Sequence, residues 1–156
     1  AGLSLAEVSD GLKNFSNIKG RLNIKQGIKD ATLIDDTYNA NPDSMKAAID
    51  VLAAMPAPRI FVMGDMGELG EDEAVAMHAE VGAYARDKGI EAAYFVGDNS
   101  VEAAETFGAE GLWFADKDPL IQVLSHDLPE RATVLVKGSR FMKMEEVVEA
   151  LVATTA

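Results

Sequence analysis

The stretch "ATLIDDTYNANPDSMKAAIDVLAAMPAPRIFVMG", residues 31–64, decides the fold. It opens with a short apolar run that ends in two acids, Asp35 and Asp36. A polar, turn-forming segment follows, with Tyr38, Asn39 and Asn41. Pro42 sits where the first turn of a helix tolerates a missing N–H, and Asn41 precedes it as a cap. Met45, Ala48, Ile49 and Leu52 then recur at helical spacing, which predicts one buried stripe. Pro-Ala-Pro at 56–58 stops the helix. "RIFVMG" (59–64) is an apolar run bounded by turn residues, the pattern of a central parallel strand. Strand, helix and strand in this order make a βαβ unit.

The same alternation continues to the C-terminus. The spacing predicts a helix over about 71–88 with Gly89 as its C-cap, then a strand at 92–97 and a helix at 100–107. A strand at 111–115, a helix at 118–127, a strand at 132–138 and a closing helix at 144–152 complete the series. Toward the N-terminus, Leu22 and Ile24 alternate with Asn23 and Lys25, Gln26-Gly27 turns the chain, and an apolar run resumes. That is a small hairpin or two adjacent strands. Residues 4–15 read as a helix, with Ser4 and Glu7 as a capping box and Leu5, Val8, Leu12 and Phe15 on one face. The fold class is α/β: a three-layer, Rossmann-like domain with a mostly parallel sheet and one antiparallel edge strand or small hairpin.

Of 156 residues, 48% are hydrophobic and 26% charged, the balance of a soluble globular domain. The formal charge of −12 argues against a sequence-independent grip on nucleic-acid phosphates. No run of about 18 apolar residues offers a membrane span. The first residues lack the basic and apolar regions of a signal peptide. The absence of Cys excludes disulfides, Cys-ligated zinc and a thiolate nucleophile, and fits a cytoplasmic protein. Two His, His78 and His126, are too few for a His-rich metal site. The chain starts on Ala rather than Met, which suggests processing or a piece of something longer.

In open α/β sheets, ligands bind beyond the carboxyl ends of the strands. The residues there read "DDTYNAN" (35–41), "GDMGELG" (64–70), "GDNS" (97–100), "ADKD" (115–118) and "KGSR" (137–140). Strand-to-helix turns favour Gly, Asp, Asn and Ser for geometry and capping alone. Their concentration at one edge, with strand interiors nearly free of them, points to a binding edge as well. In "KGSR", Gly138 permits close backbone approach, and Ser139 with the charges of Lys137 and Arg140 suits a carboxylate or phosphate. Asp98 and Asn99 suit an ammonium group or the cap of the next helix, and Ser100 suits a cap.

"GDMGELG" lacks the Lys and Ser/Thr of G-x-x-x-x-G-K-S/T, and no G-x-G-x-x-G occurs, so neither a P-loop nor a dinucleotide fingerprint is present. His78 reads as a helix-packing residue, His126 as a surface residue, Trp113 as core and the seven Met as core filler. Asp35, Asp36, Asp65 and Lys137 at strand ends also raise a receiver-like phosphoacceptor, which holds Mg²⁺ with such groups. The spacing disfavours it: Asp65 ends the strand directly after the acidic pair, and Gly138 rather than Pro follows the Lys.

"IDDTYNANPDSMKAA" (34–48), "VMGDMGELG" (62–70), "MHAEVG" (77–82) and "LVKGSRFMKME" (135–145), in that order, resemble the C-terminal domain of the Mur ligases. "GLSLAEVSDGLKNFSNIKGRLNI" (2–24) resembles the segment leading into that domain. The likeness covers nearly the whole chain. It is nearest the branch that adds D-alanyl-D-alanine to UDP-N-acetylmuramoyl-tripeptide in peptidoglycan precursor synthesis. The resemblance implies an ATP-dependent amide ligase. ATP phosphorylates the peptide carboxylate, the dipeptide amine attacks the acyl phosphate, and phosphate leaves. It further implies a monomer of three domains, whose central one carries the P-loop and most ligands of Mg²⁺. Residues 1–20 would then be a lead-in helix and linker, and 21–156 the C-terminal domain, inactive alone and with no catalytic residue or metal ligand of its own.

Residue by residue, the resemblance implies that Arg21 contacts the nucleotide and that Asp36 lies near its ribose and phosphates. Tyr38, Asn39, Asn41 and Pro42 would continue that nucleotide-facing loop. Asp98 and Asn99 match the loop that recognises the incoming amino acid in the related diaminopimelate-adding ligase. Gly138, Ser139 and Arg140 match the other side of that pocket. The "DNPR" of that ligase is not kept, since Ser100 follows Asn99 directly, which suits a different amine. Asp65, His78 and Lys137 fall in matched motifs without an assigned role. For the chain taken alone, a non-catalytic ligand-binding module is the remaining reading.

Overall fold

The computed structural model describes residues 23–37, 41–67 and 70–152. The helix expected at 4–15, Arg21, Tyr38 and Asn39 lie outside the described residues. Strands β1 (Asn23–Gln26), β2 (Thr32–Asp36), β3 (Arg59–Gly64), β4 (Ala92–Val96), β5 (Gly111–Phe114) and β6 (Thr133–Lys137) form one sheet in the order β1-β2-β6-β3-β4-β5. β1 runs antiparallel to β2, with Asn23 opposite Asp35, and every other pair is parallel. The edge hairpin is therefore real, and its connection is Gly27 with a 3₁₀ turn at Ile28–Asp30.

Alternation along the strands sends Ile34, Phe61, Met63, Phe95 and Leu135 to one face. Helices α1 (Pro42–Ala53), α2 (Glu71–Asp87) and α3 (Ser100–Phe107) cover them. Leu33, Ile60, Val62, Tyr94, Val134 and Val136 take the other face, under α4 (Lys117–Asp127) and α5 (Glu145–Leu151). Burial on both faces is why β3, β4 and β6 read as unbroken apolar runs. The stripe expected on α1 is the one observed, with Met45, Ala48, Ile49 and Leu52 all buried. α2 ends as its sequence implies. Gly89 takes φ +81°, its N–H donates to Arg86 O, and the Ile90 N–H donates to Ala85 O, the paired bonds of a Schellman cap.

Trp113 corrects an expectation. β5 is an edge strand, flanked by a neighbour on one side only, and Trp113 remains 40% exposed. Its Nε1–H donates to Gly97 O at 2.8 Å. An amphipathic ring with a satisfied donor suits such a half-wet position.

Two contacts fix the helices. On α2, a Cβ at Gly82 would lie 2.1 Å from Ala103 O of α3, and Thr106 Oγ1 donates to Ala79 O at 2.7 Å. "MHAEVG" thus contains a glycine against which the backbone of α3 packs. At the amino edge of the sheet, the Arg59 guanidinium donates to Ala53 O at the end of α1, to Gly89 O past the end of α2, and to both carboxylate oxygens of Glu91. A cation there also meets the negative ends of two helices. Burial alone would raise the Glu91 carboxyl. Hydrogen bonds from the Arg59 side chain and amide outweigh it and hold it below the usual carboxylate value.

Gly82→Ala is expected to force α3 outward and cost about 1–3 kcal/mol of stability, read as a lower urea midpoint. Because the folded-state value for Glu91 is depressed, its contribution is present above the ordinary Glu pKa and lost as pH falls through the folded value. The urea midpoint of Glu91→Gln should therefore lie below that of wild type at neutral pH and approach it in acid. A constant difference across that range would rule out this ion pair as the source.

Candidate functional site

At the carboxyl edge of the sheet, β6 leaves toward α5 while its neighbours β2 and β3 leave toward α1 and α2 on the opposite face. Crevices open where adjacent strands part in this way. Asp36 and Lys137 end β2 and β6 in register. Lys137 Nζ donates to Asp36 Oδ2 at 2.8 Å, and both side chains are buried. A buried ion pair holds only with close geometry, and this one bolts β2 to β6. Asp36 Oδ1 is buried with no partner. Asp35 projects the other way, held by Lys25 Nζ at 3.0 Å and Thr37 Oγ1 at 2.7 Å.

Asp65, the first residue after β3, is buried. Its Oδ1 accepts the Ser100 N–H at 2.8 Å and the Ser100 hydroxyl at 2.7 Å, and its Oδ2 accepts the Asn99 N–H at 3.1 Å. The carboxylate satisfies amides at the start of α3 and complements the helix dipole. Capping by Ser100 is thereby corrected: α3 is capped from β3, and Ser100 gives its hydroxyl to the capping acid. Gly97 makes this possible, since a Cβ there would lie 2.5 Å from Asp65 Oδ1.

The "KGSR" loop joins the same node, with the Ser139 N–H donating to Asp65 O at 2.9 Å. Ser139 is 4% exposed, and its hydroxyl has no partner. Close backbone approach at Gly138 is used by the protein itself: a Cβ there would sit 2.6 Å from Met144 Cγ and 3.2 Å from Gly64 Cα. Lys137, at the start of this loop, is engaged with Asp36. Arg140 opens a 3₁₀ turn, Arg140–Met142, and is exposed.

Asp98 is exposed in the β4–α3 loop, and Asn99 takes the cap position of α3 without a side-chain cap bond. Asn41 caps α1: its side chain accepts the Ser44 N–H at 2.9 Å, while Ser44 Oγ accepts the Asn41 N–H at 3.0 Å. Pro42 follows in the first turn. His126 is on the surface. His78 is fully buried in α2, as a packing residue should be, but it also reaches the loop after β3: Nε2 accepts the Met66 N–H at 2.9 Å.

Among the described residues, no group of three or more His, Cys, Asp or Glu could hold a metal ion. Asp35 and Asp36 point to opposite faces, Asp65 is spent on α3, and the strand order differs from the 2-1-3-4-5 of receiver-type sheets. Nothing in the edge favours a phosphoacceptor. The role of Asp65 was hidden from the sequence because its partners lie 34 and 35 residues away.

The structure is an α/β domain with polar loops gathered at the carboxyl edge of its sheet. The chain belongs to the Mur ligases: the family described as "Mur ligase, glutamate ligase domain" matches residues 20–140. It is 45% identical over 152 residues to the UDP-N-acetylmuramoyl-tripeptide–D-alanyl-D-alanine ligase of Escherichia coli, across 96% of this chain and 33% of that protein. The Haemophilus influenzae ligase of the same name is 42% identical over 156 residues, again across 96% of this chain and 34% of its own length. Among solved structures, a crystal structure of MurF from Acinetobacter baumannii superimposes with a TM-score of 0.74 at 34% identity, over 95% of this chain and 33% of that one. MurF ligase from Thermotoga maritima in complex with ADP gives 0.73 at 26% identity, over 84% of this chain and 30% of that one. The chain spans about one third of the length of these curated relatives.

Removing one partner of the buried pair, by Asp36→Leu or Lys137→Met, is expected to cost about 3–5 kcal/mol in urea unfolding. The double variant should lose less than the sum of the singles. Strict additivity would mean that the two side chains do not act as a pair.

Proposed function

We propose that this chain is the C-terminal domain of an ATP-dependent ligase that adds D-alanyl-D-alanine to UDP-N-acetylmuramoyl-tripeptide. Residues 21–156 form the domain, and 1–20 lead in from a central domain. The observation that carries the reading is the convergence of three matched loops on Asp65, beside a buried Ser139 hydroxyl without a partner. An unsatisfied buried donor costs free energy, and a dipeptide carboxylate supplies the acceptor it lacks. Arg140, exposed next to it, suits the same carboxylate. Asp98 stands at the other side with Asn99, in an acidic loop that suits the amine end.

The division of labour follows from what the chain holds. ATP activates the tripeptide carboxylate on the central domain, which carries the P-loop. Mg²⁺ is held mainly there as well. Asp36, with Oδ1 unsatisfied at the crevice between β2 and β6, faces the nucleotide, together with Arg21, Tyr38, Asn39, Asn41 and Pro42. The cap made by Asn41 pre-organises that loop. Closure of this domain on the central one brings the dipeptide amine to the acyl phosphate and excludes water from it. The enzyme works as a monomer in the cytoplasm, where ATP and the UDP-linked precursor meet. No helix among the described residues is long and apolar enough to cross a membrane.

In the full-length enzyme, Arg21→Ala and Asp36→Ala are each expected to lower turnover on the order of 100-fold; near-wild-type kinetics in both would remove them from the nucleotide site. In an NMR titration of this chain, D-alanyl-D-alanine should shift the amides of 98–100 and 138–140. Shifts confined to other loops would point to a different ligand-binding module.

A further inference from the structure

His78 sits in a matched motif, yet the proposed reaction gives it no part. Its surroundings do. The ring is wholly buried, and both nitrogens are engaged. Nδ1 lies 2.6 Å from Ala74 O, which can only accept, and Nε2 lies 2.9 Å from the Met66 N, which can only donate. Those partners fix the tautomer: the proton is on Nδ1, and Nε2 is an acceptor. Asp65 Oδ1, 4.0 Å from Nε2, therefore takes nothing from the ring and serves α3 alone.

The Met66 N–H and the Asp65 C=O belong to one peptide unit, which is planar and rigid. His78 grips its N–H end. The Ser139 N–H donates to its C=O end at 2.9 Å. The imidazole and the "KGSR" backbone are thus joined across a single peptide plane, and each bond polarises the other. Residues 65–67 belong to no helix or strand, so this plane has no ladder to orient it. The same residue's carboxylate holds Asn99 and Ser100. We infer that His78 is a positioning residue: by fixing the Asp65–Met66 peptide plane, it sets the spacing between the Ser139 side and the Asn99 side of the pocket. That the pocket takes D-alanyl-D-alanine rests on the function proposed above; the relay itself does not.

The test compares His78→Gln, whose amide oxygen can take the place of Nε2, with His78→Asn, which can still reach Ala74 O but is too short for Met66. In this chain, amide hydrogen exchange of Met66 and Ser139 should quicken by at least about tenfold in H78N, the loss of one buried bond. It should stay near wild type in H78Q, with the amides of Val62 and Leu135 in the central strands unchanged in both. Where H78N does not fold, His78→Phe in the same assay carries the comparison. In the full-length ligase, H78N should raise KM for D-alanyl-D-alanine about tenfold with KM for ATP unchanged, and H78Q should restore it. Unchanged exchange at Ser139, a rise shared equally by Val62 and Leu135, or an H78Q variant as impaired as H78N would overturn the relay. A relay intact by exchange in an enzyme whose dipeptide KM does not move would instead overturn the assignment of this pocket to the dipeptide.

Discussion

The carboxylate and carbonyl of Asp65 hold the functional edge together. A strand-to-helix loop in an α/β sheet has a structural problem: the amides at a helix start need acceptors, and the next residues belong to no ladder. Here one acid answers for two loops. Its side chain caps α3, and its main chain takes the Ser139 amide, so the loops after β3, β4 and β6 cannot move independently. Gly97 and Gly138 follow from that demand. One clears room for the carboxylate; the other lets the β6 loop lie against Gly64.

Much of the fold was legible because local and global signals agreed. The apolar runs at 59–64 and 133–137 are buried on both faces, and the α1 stripe and Asn41 cap are local patterns with local causes. The misreadings share a different origin. Trp113 is apolar and in a strand, but whether a strand lies at the centre or the edge depends on where the chain returns, which no window of residues contains. The Lys137–Asp36 pair was equally out of reach of any window, since the two residues lie 101 apart in the chain. The candidate edge was legible as a set of loops, whereas its wiring through Asp65 and His78 was not, since the bonds that tie the loops together join different elements.

The two ends of the sheet are built to different standards. At the amino edge, Arg59 satisfies carbonyls from two helix ends and a carboxylate at once. At the carboxyl edge, Asp36 Oδ1 and Ser139 Oγ are buried and unsatisfied. Buried polar groups without partners are uncommon, and those that persist usually await something. Satisfied hydrogen bonds are concentrated at the amino edge, and unmet hydrogen-bonding capacity where the matched motifs gather.

Among the described strands, β6 comes last in the sequence and third in the sheet. β2 pairs with β1 and β6, and β3 with β6 and β4, so the two halves of the sheet share no ladder of their own. The sheet is continuous only after residues 133–137 slot between Thr32–Asp36 and Arg59–Gly64, strands laid down far earlier in the chain. Until residues 133–137 are in place, the chain therefore carries two unclosed half-sheets with bare inner edges. Such edges are templates for wrong pairing, and domains closed by distant segments form slowly. Completion of this domain thus waits for the strand that bears Lys137, and the functional edge and the core are finished in the same step.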